Sequence, residues 1–128
     1  MLDNARLVAN LRASDLERTI AFYEGKLGLA LIGRREVLPG HEELRFQAGG
    51  AVLCIESGAA TPSGQTPVSF DVDDIESAAE SLRKRGIEFE DYDLPNFKTV
   101  GGIATVGALK GAWFKDPDGT LLGLVSAG

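Results

Sequence analysis

The chain has one cysteine, Cys54 in "AVLCIES", and one histidine, His41 in "LPGHEE". Zinc-type sites normally draw on several such side chains, so any metal here would need a mostly carboxylate set. Glu56 shares strand parity with Cys54 and is a polar wall or a rescue ligand, set against a solvated residue at a strand exit. A nucleophilic thiol needs a nearby cation or helix start to lower its pKa. The sequence shows neither, so Cys54 reads as a small buried hydrophobe. His41 falls in a loop between strands and reads as exposed; it becomes a base at a site's rim only if it reaches Cys54.

Other residue types suit binding better than bond-making. Asn10 and Arg12 share parity with Val8 and face the same way, able to hydrogen-bond a ligand. Trp113 and Phe114 are adjacent, so a strand sends one to each face; Trp113 is the stacking candidate because its size resists full burial. The stretch 92–111 holds Pro95 and a Gly-Gly pair and reads as a lid or binding loop, with Tyr92 and Phe97 able to close on a ligand. "DPDG" followed by "TLLGLV" places Gly123 in mid-strand, where a glycine marks a missing side chain.

These residues need elements to hold them. A strand is expected over 6–14 and a helix over 14–28, capped by Ser14 or Asp15 with Glu17 completing a capping box. Strands follow over 29–37, 42–49 and 50–57, with a turn at Gly49 and Gly50. Residues 58–66 form a small, polar linker. The pattern then restarts: strand 67–73, helix 74–86 capped by Asp73 or Asp74, strand 87–95, and a hairpin around "DPDG". A shift of 59 residues lays Asp15 on Asp74; in the later strands Phe46 falls on Phe114 and Cys54 on Gly123. The runs "GRRE" and "RKR" read as solvated faces. Each half is β-α-β-β-β, with a helix on one sheet face. Two such sheets side by side make a concave, cup-like surface suited to a small molecule.

Composition limits the partners. With 128 residues, 44% of them hydrophobic, the chain fits one domain with a real core and no disulfide. A net charge of −6 argues against nucleic acid. No apolar run is long enough for a membrane span, and "MLDNARLVAN" lacks the pattern of a signal peptide, so the expected compartment is the cytoplasm.

In order and spacing, "DLERTIAFYEGKLGL", "VSFDVDDIESAAESLRKRGIEF" and "AWFKDPDGTLLGLV" resemble the vicinal oxygen chelate superfamily. That group includes glyoxalase I, extradiol dioxygenases, fosfomycin-modifying enzymes and bleomycin resistance proteins. The resemblance implies an α+β fold: one domain over 1–128, with module 1 about 1–57 and module 2 about 67–128, forming a cupped eight-stranded mixed sheet. It implies four metal-ligand positions, which fall here on Val8, Cys54, Pro67 and Gly123. Three of these have no donor side chain, so the similarity is to the metal-free, bleomycin resistance-like members. It then implies a homodimer that binds a hydrophobic or aromatic small molecule, such as an antibiotic, with no cofactor and no metal. Cup candidates are Val8, Asn10, Cys54, Gly123 and Trp113, with Val8 and Gly123 leaving a roomy apolar floor. Arg12, His41, Glu56, Tyr92 and Phe97 are weaker candidates. The alternatives are a lyase, isomerase or dioxygenase with displaced ligands such as His41 and Glu56 or a metal-free mechanism, and a regulatory module without a ligand.

Overall fold

The structure, a computed structural model, describes residues 1–62, 64–95 and 97–126. The chain divides into two compact units, Met1–Thr61 and Pro62–Gly128, with the boundary inside the 58–66 linker.

Unit 1 runs β1 (Val8–Ala13), α1 (Leu16–Ile20), a π-helical turn (Ala21–Lys26), β2 (Ala30–Leu38), β3 (His41–Ala48) and β4 (Ala51–Ser57). Its sheet order is β1-β4-β3-β2, with β1 parallel to β4 and the other pairs antiparallel. Asp15, not Ser14, caps α1: the Arg18 N–H donates to Asp15 Oδ1 at 3.1 Å. The helix expected over 14–28 is α-helical only to Ile20. The π turn that follows widens the spiral, so the consecutive Phe22 and Tyr23 both turn inward and are buried. Tyr23 meets Phe46 of β3 at 5.6 Å between ring centroids. Leu44, Phe46 and Ile55 complete this apolar layer, and burying each removes about 2–3 kcal/mol worth of apolar surface from water.

Unit 2 runs β5 (Val68–Asp71), α2 (Ile75–Lys84), β6 (Asp93–Leu94), β7 (Phe97–Val100), β8 (Ile103–Val106), β9 (Leu109–Lys115) and β10 (Leu121–Ser126). The order is β5-β10-β9-β8-β7-β6, with β5 parallel to β10. Asp74 caps α2 as Asp15 caps α1, accepting from Ser77 N–H at 3.1 Å. α2 turns Ile75 and Ala79 inward.

The α+β class is as expected, with the strands falling in sheets of four and six. Two expectations are corrected here. Residues 92–111 are not a loop: β6, β7 and β8 form a meander there, because Gly101 and Gly102 reverse the chain at φ of 60° and 80°. The strand expected over 87–95 shrinks to one bridge, Phe89 to Phe114, and the short β6. The basic runs are also less idle than solvated faces. Arg34 is tied to Glu17 at 2.7 Å and Glu42 at 3.2 Å. Arg83 lies 5.1 Å above the Phe89 ring and donates to the Gly101 carbonyl.

The Asp74 cap gives a direct check. Asp74→Ala should cost about 1 kcal/mol, read as a lower urea midpoint with an unchanged slope.

Candidate functional site

In each unit the helix lies on one sheet face, and strand alternation sends a second set of side chains to the opposite face. In unit 1 the register places that set in three rows: Val8–Val52–Gln47, Asn10–Cys54–Arg45 and Arg12–Glu56–Glu43. Val8, Asn10, Arg12, Cys54 and Glu56 therefore share one face. Asn10 and Arg12 are exposed, as is Glu56, while Val52 and Cys54 are buried.

Glu43 belongs to this face and was not singled out in the sequence. Its signal was there: Glu43 and Arg45 alternate with the buried Leu44 and Phe46, so they must point the other way. Glu43 is only 6% exposed. A carboxylate buried that deeply needs partners. Arg35 Nε and Arg45 Nη1 supply them at 3.4 and 3.5 Å, both on Oε1. One ligand atom each from Glu43, Cys54 and Glu56 lies within 4.8 Å of the others.

Burial pushes the Cys54 thiol up from its usual value of 9.0; the charge and hydrogen bond of Glu43 push the same way, and Arg45 opposes them. The thiol is therefore protonated at neutral pH. His41 is not in a loop: it opens β3, paired with Leu38, is exposed, and lies outside the Glu43–Cys54–Glu56 group.

In unit 2 the matching rows are Ser69–Gly123–Trp113 and Asp71–Val125–Gly111. Gly123 and Trp113 thus share a face, a relation the sequence left open across the turn. Phe114 points the other way, fully buried against Phe89 at 5.6 Å. The space above Gly123 is not an open floor. A Cβ there would stand 2.9 Å from Ser69 Oγ and 3.3 Å from Thr66 Cγ2. The small residue admits its own neighbours' side chains.

Aromatic side chains gather at Trp113 instead. Its indole folds back over Gly111, where a Cβ would come within 2.9 Å of the ring. Phe97 stands 5.4 Å from it and Tyr92 5.9 Å, with 5.6 Å between Tyr92 and Phe97. All three rings are half-buried. The Thr99 amide donates to the Tyr92 carbonyl at 2.8 Å, and the Tyr92 amide to Thr99 Oγ1 at 2.8 Å, pinning the cluster to β7. Two grooves, of about 620 and 370 Å³, also flank β7 and β8 and share Lys98 and Thr105; the smaller reaches Glu76 of α2. Of the site candidates named from sequence, only Phe97 lines either one.

The family model for the Glyoxalase/Bleomycin resistance protein/Dioxygenase superfamily matches residues 6–124. The chain belongs to that superfamily. It is similar to a glyoxalase family protein from Enterococcus faecalis, at 24% identity and TM-score 0.73, covering 98% of this chain and 99% of that one. It is similar to a genomically encoded fosfomycin resistance protein from Listeria monocytogenes complexed with Mn(II) and sulfate, at 17% identity and TM-score 0.70, covering 100% and 95%. An antibiotic-binding protein from Streptomyces matches at 20% identity and TM-score 0.69, covering 100% and 99%. At these identities the likeness is one of fold. No curated protein matches the sequence significantly. The sequence resemblance puts the four positions that the superfamily's metal enzymes use on Val8, Cys54, Pro67 and Gly123. Three lack a donor side chain, so the residues present do not fit that metal.

Two outcomes follow from the geometry. Gly111→Ala should push the indole off its strand, changing Trp113 emission and the near-ultraviolet circular dichroism, because a Cβ and the ring cannot share that space. The raised Cys54 pKa means the folded state holds the thiol proton more tightly than the unfolded chain. That contribution is present below the usual value of 9.0 and lost as pH rises through the folded value. Chemical denaturation at stepped pH should therefore show Cys54→Ala losing less stability than the parent above about pH 9.

Proposed function

We propose that the protein is a metal-independent binding protein for a hydrophobic or aromatic small molecule, such as an antibiotic. One observation carries this reading: Tyr92, Phe97 and Trp113 form a half-buried aromatic cluster in unit 2. Such rings offer flat apolar area with little conformational entropy to lose. Ser69 beside them adds a hydroxyl for orientation. Donors are missing at Val8, Pro67 and Gly123, which supports binding without a metal. The antibiotic-binding protein of similar fold supports the ligand class. The sequence resemblance adds a homodimer, working in the cytoplasm as a single domain over both units.

Trp113 is the sole tryptophan, so its fluorescence reports on this cluster alone. Chelator-stripped protein should be titrated with a panel of planar aromatic antibiotics. Saturable quenching at micromolar concentration is expected, and Trp113→Phe, read by calorimetry, should keep most of the affinity while Trp113→Ala loses tenfold or more. Binding no tighter than about millimolar, a free energy of roughly 4 kcal/mol, or binding only after added Mn²⁺ or Zn²⁺, would overturn the proposal.

A further inference from the structure

The register of unit 2 sets an apolar row beside the aromatic cluster. Leu109, Gly111 and Trp113 alternate along β9 and so share a face. Val106 pairs with Leu109 and Ala104 with Gly111, which puts Val106 and Ala104 of β8 on that face. Ala104 pairs in turn with Thr99, so Thr99 and Phe97 of β7 join it. Leu94 of β6 pairs with Phe97. Leu109, Val106, Phe97 and Leu94 thus form one row across four strands. Leu94 and Phe97 flank one hairpin turn, Val106 and Leu109 the next. Leu94, Val106 and Leu109 are each more than half exposed. The row is continuous with the cluster through Phe97, which stands 5.4 Å from Trp113. Phe97 and Leu94 also border the groove of about 620 Å³. Val100, exposed still further, alternates to the opposite face.

We infer that this row is a subsite for an apolar arm, and that the ligand is a flat ring system carrying an aliphatic chain. The inference rests on the aromatic cluster being the site of the ring. Strands lie about 4.8 Å apart, so the row runs roughly 14 Å from β9 to β6, the reach of a chain rather than of a single ring. Its size argues against a protein partner, because a specific interface takes about 20–30 residues a side. Its charge argues against an anionic membrane, which is recognised by clustered basic side chains. Lys98 and Lys110, the lysines that follow the two turns, alternate to the other face. Asp93 holds Lys98 at 3.6 Å and Glu76 holds Lys110 at 2.5 Å, in a chain of net charge −6. The row itself carries no charge, so what it offers is apolar contact. Each methylene fully buried there is worth roughly fourfold in affinity. Space beyond the second turn is open: a Cβ on Gly107 would meet nothing within 4 Å.

The test compares two dyes by calorimetry on the chelator-stripped full chain. Acridine orange has the ring alone; its N-nonyl derivative adds the chain and is used below the concentration at which it self-associates. The nonyl dye should bind about tenfold tighter or more. A double variant, Val106→Ser with Leu109→Ser, changes two exposed side chains, and circular dichroism reports its folding. It should cut the nonyl advantage to about twofold or less. Val100→Ser, the matching change on the opposite face, should keep the whole advantage. With acridine orange bound, an advantage that is absent, that survives the double variant, or that Val100→Ser removes equally would overturn the inference and leave the ring site standing. Binding of the nonyl dye alone, lost in the double variant, would support the subsite and overturn the ring site. Binding of neither dye would overturn both.

Discussion

The parallel pairing of first strand with last is the constraint from which the rest of each unit follows. β1 lies against β4, and β5 against β10. A parallel pair needs a crossover, and a helix directly after the first strand supplies it. That helix covers one face of the sheet. Its anchors are short and specific: Asp15 and Asp74 fix the helix starts, and Phe46 and Phe114 fill the covered layer at full burial. Register then decides every residue on the other face. A one-residue slip would exchange Cys54 with a core position.

The two open faces are one plan with different side chains. Cys54 in unit 1 answers to Gly123 in unit 2, Arg45 to Trp113, and Glu43 to Gly111, because each trio pairs through the same register. In unit 1 the positions are charged, and a buried carboxylate is held there by two guanidiniums. Such an arrangement contributes little net stability, since desolvation consumes most of the Coulomb gain. In unit 2 the same positions are a glycine pair and an indole, none of them charged. The indole can lie flat only because Gly111 has no Cβ. One face is suited to cations and polar groups, the other to flat apolar rings.

Much of this was legible in the sequence, for identifiable reasons. Alternation in "RLVANLRAS" grouped Val8, Asn10 and Arg12, and in "AVLCIES" grouped Cys54 and Glu56; the register joins the two sets on one face. Each helix start offered two cap candidates, and the structure uses Asp15 and Asp74. What escaped depended on contacts distant in sequence or on turn chemistry. Gly123 read as a hole because nothing local says that Ser69 and Thr66 lean over it. The meander at 92–111 was hidden because its strands are short and its glycines looked like loop residues rather than turn residues. Glu43 was overlooked because a charged residue in "HEELRFQ" reads as solvated until its strand neighbours enclose it. His41 sits on a strand only because Leu38 pairs with it.

The central claim is that the aromatic cluster around Trp113 in unit 2, not the groove beside α2, receives the small molecule. Proton–nitrogen correlation spectra of metal-stripped protein, recorded while an aromatic probe such as anilinonaphthalenesulfonate is added, test this most directly. The account requires the Trp113 indole N–H and the Gly111 and Gly123 amides to shift in fast or intermediate exchange, saturating together. Shifts confined to Glu76, Lys98, Val100, Ile103 and Thr105, which line the groove of about 370 Å³, would contradict it.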